Sequence, residues 1–291
     1  MSKDLKGVFL ATISGASFGL IPLFTIPVIN TGMGYCSIIF YRFLFGSLFM
    51  LAFLLYKRES LRISFSELWR ISILSSIYIV CAVTLFKSYA YITSGVATSL
   101  IYTNPIWCAL LAIAFCGEKF SWRVTVALLL SFVGVTMLSG LFDDGQVFSA
   151  LGIFLGLCSG IGYGVYLILL PRLRLGNVSS LKLTFYIFFT AVILLLFYQL
   201  PFEGGIDRIE DWTTFTNLLL VGLLPTAFSN ICVTMALRMI DTTIVSILGA
   251  FEPFTAMVVG ILLLHEPFSL ITIIGGLLVL ASVTILTIKK K

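Results

Sequence analysis

Two polar residues, Asn104 and Glu252, each stand one position before a proline, Pro105 and Pro253, deep inside long apolar runs. A proline within a helix cannot donate to the carbonyl four residues back, so Pro105 and Pro253 are expected to kink their helices and free the oxygens of Ile101 and Gly249. Freed backbone at membrane depth is tolerated only where protein or a cavity satisfies it. Glu252 lies nine residues past Thr243. That is ~14 Å along a helix, near the middle of a bilayer. An acid at that depth costs roughly 2.5–3.5 kcal/mol on insertion scales, and taking up a proton is its cheapest escape. Ionisable groups at such depth are candidates for binding or for proton exchange. Asn104 and Glu252 therefore read either as a binding site at two related bends, or as packing bends with a protonated Glu252 bonded between helices.

Further groups can join them. Arg42 lies about seven residues, or ~10 Å, from the nearer end of its run. It reads either as an anchor for a carboxylate or phosphate, or as one side of a structural ion pair, with Glu252 or a helix C-terminus as partner. Lys87 lies closer to the end of its run, where its ammonium can reach the headgroups. Tyr78, Tyr102, Trp107, Tyr163 and Tyr166 sit inside apolar runs, and a buried Tyr or Trp needs a partner for its polar tip. Asn230, next to Ser229, is a further polar candidate. The histidine, His265, stands beside Glu266 with no second ligand at metal-binding spacing, so no metal is expected. The glycines show no Walker, dinucleotide-binding or nucleophile-elbow spacing, so neither a cofactor nor an enzyme reaction is expected.

The elements that must carry these groups follow from composition. Of 291 residues, 59% are hydrophobic and 11% charged, and the mean hydropathy is +1.12. Soluble domains run about half apolar and a quarter charged. The chain therefore reads as an all-α integral membrane protein. Disorder, a disulfide scaffold and nucleic-acid binding are set aside, the last despite the net charge of +5. The six cysteines lack paired spacing and read as packing residues. Met1 to Lys6 lead into a spanning run with no small-residue cleavage site, so a retained first helix is expected.

Runs of about 20 residues suffice to span. They fall at 7–29, 35–56, 71–91, 95–116, 123–141, 149–170, 183–200, 213–237, 243–264 and 268–288. With the N-terminus in the cytoplasm, this count puts every basic residue of the 18 inside except Arg208, outside, and Arg42 and Lys87, within spans. The outside loops carry Asp143, Asp144, Glu203, Asp207, Glu210, Asp211 and Glu266. One misplaced span would invert every later loop, so the asymmetry supports ten helices with both termini cytoplasmic.

The halves resemble each other. Gly7–Gly19 lies over Gly152–Gly164 with six of 13 positions identical, and Pro105 lies over Pro253. Residues 7–141 and 149–288 are thus expected to be two five-helix repeats. An odd number of spans per repeat makes the second enter the membrane inverted. Inverted repeats are an architecture of alternating access around a midplane site, although duplication kept only for packing would look the same. Each repeat opens on a small-residue stripe, Gly7, Ala11, Gly15, Gly19 and Gly152, Gly156, Gly160, Gly164, which permits close helix approach.

Ten spans in two halves, Tyr41-Arg42-Phe43 early in the second span, and the turn Gly117-Glu-Lys-Phe-Ser121 after the fourth together resemble the EamA-like branch of the drug/metabolite transporter superfamily. The second half repeats that turn as His265-Glu-Pro-Phe-Ser269, without the glycine. The resemblance implies a path between the halves, lined mainly by spans 1, 3, 4, 6, 8 and 9. Its members move amino acids, nucleotide-related metabolites, sugar phosphates or cationic drugs.

The expectation is a secondary transporter in the cytoplasmic (inner) membrane, taking a small-molecule solute such as an amino acid or related zwitterion. Glu252 would meet its cationic part, Arg42 or Lys87 its anionic part, and Asn104 with aromatic neighbours would orient it. A nucleoside-containing solute such as S-adenosylmethionine is the runner-up, and a non-transporting scaffold or lipid flippase the reading from another class. The lipid bilayer is the expected partner, and a monomer the simplest unit.

Overall fold

The computed structural model describes residues 3–88, 91–92, 97, 100–117, 122–138, 149–173, 175–202, 205–263 and 270–287. The expected turns at 118–121 and 265–269, and Lys119, Arg174, Lys289 to Lys291, Asp143, Asp144 and Glu203, lie outside them. Among the described residues the structure is helical throughout, with no strand.

In chain order the helices are α1 (Lys3–Phe18), α2 (Ile21–Ile29), α3 (Tyr35–Tyr56), α4 (Phe65–Ser88), α5 (Asn104–Cys116), α6 (Trp122–Leu138) and α7 (Ala150–Arg172). There follow α8 (Ser180–Phe202), α9 (Trp212–Gly222), a π-helical stretch (Leu223–Phe228), α10 (Ser229–Ala236), α11 (Thr242–Leu248), α12 (Phe251–Leu263) and α13 (Leu270–Thr287). Six stretches are long and apolar enough to cross a bilayer: Lys3–Ile29, Tyr35–Tyr56, Phe65–Ser88, Ala150–Arg172, Ser180–Gln199 and Trp212–Ala236. Shorter apolar helices cover Asn104–Phe115, Trp122–Met137 and Ile273–Ser282.

Local chemistry sets several boundaries. α4 starts at Phe65, not at 71 as hydropathy suggests, because Ser64 and Glu67 form a reciprocal cap. The Glu67 carboxylate accepts from the Ser64 N–H at 2.9 Å and hydroxyl at 2.7 Å, while the Glu67 N–H donates to Ser64 Oγ. Asp211 caps α9 by accepting from the Thr214 N–H at 2.7 Å. α5 ends on Gly117, whose φ of 65° is left-handed backbone that glycine adopts without strain.

The core centres on Phe43, Leu183, Phe188, Tyr166 and Leu167, all nearly inaccessible. Outward faces are apolar as well: Phe65, Phe115 and Phe197 are 84%, 80% and 74% exposed. Such a surface suits lipid and would aggregate in water. Trp122 and Trp212, exposed at the first positions of α6 and α9, fit the headgroup level.

The most extensive helix packing joins the first part of the chain to the second. α6 lies on α13, α4 and α5 on α7, α3 on α8 and α9, and α1 on α10 and α12. The two glycine stripes make close seams. A Cβ at Gly160 would lie 2.7 Å from Leu100 O, and one at Gly19 would lie 2.4 Å from Glu252 O. Each stripe therefore holds a helix against the stretch of the other half that carries Asn104 or Glu252.

The expected run 243–264 is two helices rather than one. α11 stops at Leu248, a turn follows at Gly249–Ala250, and α12 begins at Phe251. Likewise a turn at Tyr102–Thr103 precedes α5. Pro105 and Pro253 thus occupy the first turns of new helices, where a missing N–H costs little, and do not kink a continuous one.

Candidate functional site: a cavity between two broken helices

The two breaks meet. A cavity of about 30 Å³ is lined by Ser14 and Gly15 of α1, Tyr102 and Asn104 of the first break, Tyr163 of α7, and Ser246, Gly249 and Glu252 of the second, among others. That volume holds about one water molecule.

At the first break, Asn104 repairs the backbone that Pro105 disrupts. Its Nδ2 donates to Ile101 O at 3.0 Å, so that carbonyl is not free. Its Oδ1 is buried and accepts no hydrogen bond among the described residues, in a residue only 4% exposed. At the second break the Gly249 carbonyl is also not free: it accepts from the Glu252 backbone N–H at 2.9 Å. The Glu252 carboxyl is therefore spared this task and lines the cavity together with Tyr102.

Arg42 stands on α3, outside the cavity lining. Its Nε donates to Thr226 Oγ1 at 2.6 Å. It acts electrostatically on Glu252 and on Tyr78, without a direct ion pair to Glu252 among the described residues. The π-helical stretch makes this anchor. Pro225 cannot donate to Val221 O, and the Thr226 hydroxyl donates there instead at 2.7 Å. The stretch is bonded further by Asn230 Nδ2 to Thr226 O at 2.9 Å and by Ser17 Oγ to Leu224 O at 3.0 Å. π-helical turns are frequent at functional sites.

Aromatic rings pack alongside. Tyr78 lies 5.1 Å from Tyr166 and 5.6 Å from Phe43 between ring centroids, and Tyr163 stacks on Tyr166 at 5.9 Å. Asn230 neighbours the Tyr78 hydroxyl.

The structure thus brings Glu252, Asn104, Tyr102 and Tyr163 to one cavity; Arg42, Tyr78 and Asn230 do not line it, and Arg42 acts on Glu252 only electrostatically. Trp107 is not among the lining residues; its indole N–H donates to Thr103 Oγ1 at 3.0 Å. Lys87 is exposed at the far end of α4, bonded to the Tyr198 hydroxyl at 2.8 Å. Among the described residues no group of three or more His, Cys, Asp and Glu side chains converges on a point. Thr226, Ser14 and Ser246 escaped the reading of the sequence. Pro225-Thr226 inside an apolar run was the available signal for Thr226, because a hydroxyl after a proline is placed to serve the carbonyl that the proline leaves. For the two serines there was no local signal.

The model of the EamA-like transporter family matches twice, at residues 5–140 and 150–288. Two proteins of Archaeoglobus fulgidus, both described as uncharacterized transporters, are 27% identical, one over 66% of this chain and 66% of its own length, the other over 87% and 88%. An uncharacterized transporter of Synechocystis is 27% identical over 72% of this chain and 63% of its own length. The matched region is thus just under two thirds of two of these relatives. A crystal structure superposes with a TM-score of 0.82 over 98% of this chain and 96% of its own, at 15% identity, a likeness of fold alone. With family matches over almost all its length, this chain belongs to the EamA-like transporter family.

Proposed function

We propose that the chain is a secondary transporter that carries a small zwitterionic solute, such as an amino acid, across the cytoplasmic membrane by alternating access. In this reading residues 7–141 and 149–288 are inverted five-helix repeats, ten spans in all, with both termini in the cytoplasm. Glu252 receives the ammonium of the solute, Arg42 its carboxylate, and Asn104 orients it.

The observation that carries the reading is the Asn104 Oδ1 atom. It is buried without a hydrogen-bond partner among the described residues, in the cavity that Glu252 shares. A buried acceptor left unmade costs ~1–3 kcal/mol, which a static scaffold has no reason to retain. A solute that donates to it would recover that cost only when bound. A cavity of about 30 Å³ is smaller than any amino acid, so the site must widen to load. The glycine seams supply surfaces without side chains along which α1 and α7 can shift.

The test is a thermal-stability screen of the purified protein in detergent against amino acids, nucleosides, S-adenosylmethionine and organic cations. A ligand at a hundred times its dissociation constant adds ~2.7 kcal/mol. The expected result is stabilisation by zwitterionic amino acids that is lost in Glu252→Gln. Stabilisation by nucleosides or organic cations alone, or by amino acids equally in the variant, would overturn the reading.

A further inference from the structure

A second, larger cavity of about 340 Å³ lies at the end of the bundle where α4 and α8 finish and α3 begins. Its volume falls within the range usual for small-molecule pockets. Its lining includes two charged groups, Lys87 and Asp207, and the amide of Gln199. The central site uses none of them.

Gln199 is the unexplained member. It is 0% exposed, and neither its Oε1 nor its Nε2 has a hydrogen-bond partner among the described residues. A buried amide with both ends unmade is costly, and such groups in folded proteins call for a specific reason. The two charges, by contrast, are held in place. Asp207 Oδ2 accepts from the Gly34 N–H at 2.7 Å, the Asp207 N–H donates to Ser37 Oγ at 3.0 Å, and the Tyr41 hydroxyl donates to the Asp207 carbonyl at 2.8 Å. The Lys87 ammonium is steadied by the Tyr198 hydroxyl at 2.8 Å and lies 5.5 Å from the centre of that ring.

We propose that this cavity is an outer staging site for a small zwitterion, with Lys87 taking the carboxylate, Asp207 the ammonium, and the Gln199 amide bonding between them. Fixed charges of opposite sign with a donor–acceptor between them select a molecule that carries both charges over one that carries either. The identity of the occupant rests on the transport reading above, since the staging site would hold the solute that the Glu252 site passes on. Its residues and its position are independent of that site.

The experiment is saturation-transfer NMR on the protein in detergent, with glycine, acetate and methylammonium as probes. The chains compared are wild type, Glu252→Gln, Lys87→Met and Gln199→Leu. The expected result is saturation transfer to glycine, stronger than to either single-charge probe, that persists in Glu252→Gln. It should weaken about tenfold or more in Lys87→Met and Gln199→Leu, as removal of a hydrogen bond to a charged group implies. Lys87 is exposed, so Lys87→Met keeps the test valid where Gln199→Leu folds poorly. A glycine signal that vanishes in Glu252→Gln and survives in Lys87→Met would overturn the staging site while leaving the central one standing. The same signal in a protein that gives no flux would keep the staging site and sink the transport reading. Glycine binding that disappears when anionic phosphatidylglycerol is added would assign the cavity to a lipid headgroup and overturn the proposal.

Discussion

The breaks at residues 100–107 and 246–253 use one backbone device for two chemical ends. Each stops a helix with a turn, restarts it around a proline, and lies under the glycine stripe of a helix from the other half. They differ in how the carbonyl opposite the proline is served. Asn104 spends its own Nδ2 on Ile101 O, whereas at the second break the Glu252 backbone N–H closes onto Gly249 O. One break therefore presents half an amide to the cavity and the other a complete carboxyl group. A polar residue beside a helix break is available for binding only to the extent that the backbone does not consume it. The halves also differ further along. α4 runs unbroken from Phe65 to Ser88, while the stretch Trp212–Ala236 holds the π-helical turn that fixes Arg42.

The comparison can be broken first at the glycine seams, where the largest stability effects are expected. Gly19→Ala places a Cβ 2.4 Å from Glu252 O and 2.5 Å from Thr255 Cβ, backbone and branch point that cannot yield. Its counterpart Gly164→Ala meets Trp107 Cβ at 3.1 Å and Asn104 O at 3.4 Å, which small shifts accommodate. Gly19→Ala should lose ~1–3 kcal/mol in detergent unfolding, as overpacking does, and Gly164→Ala less. Equal losses would mean the seams are interchangeable.

Thr226→Val should come next. It removes both the acceptor for Arg42 and the donor to Val221 O, at ~1–3 kcal/mol for the buried groups left unmade. Thr226→Ser, which keeps the hydroxyl, should retain most of the wild-type stability. A valine variant as stable as wild type would remove the reason given for the π-helical turn.

A smaller effect separates the two breaks directly. Asn104→Ala strips Ile101 O of its donor and should cost ~1 kcal/mol. Glu252→Gln leaves the Gly249 bond intact and should not lower the melting temperature. The reverse order would show that the backbone repair has been assigned to the wrong half.

The smallest effect is expected at the α9 cap, outside the spans. The Asp211 carboxyl is held below its usual range first by the Thr214 hydroxyl and then by the Thr214 N–H. A carboxyl depressed in the fold stabilises it above the ordinary carboxylate range and loses that contribution as pH falls through its lowered value. Asp211→Ala should therefore lower the melting temperature slightly at neutral pH and make no difference at strongly acidic pH. A gap between variant and wild type that widens on acidification would contradict the cap.

Much of the scaffold was legible because burial in lipid leaves a coarse signature. The runs at 35–56, 149–170 and 183–200 correspond to α3, α7 and α8 to within a few residues at either end. The breaks were legible only in part. Asn104-Pro105 and Glu252-Pro253 marked the places, but a proline in an apolar run does not reveal whether a helix bends or stops and restarts. The carbonyls of Ile101 and Gly249 were expected free, and local donors three residues on in fact serve both. Gathering Tyr102 and Tyr163 with Glu252 depends on packing between distant helices, which no local pattern encodes. Gln199 did carry a signal, a lone amide in the run 183–200, that charge-based reading passed over.

The most direct test of the central claim, that Glu252 is the group which meets the solute, is counterflow of radiolabelled zwitterionic amino acids in proteoliposomes, wild type against Glu252→Gln. Loss of a hydrogen bond to a charged group lowers binding by ~1.5–3 kcal/mol, so uptake by the variant should fall about tenfold or more while its melting temperature holds. Uptake by Glu252→Gln at the wild-type rate would contradict the account.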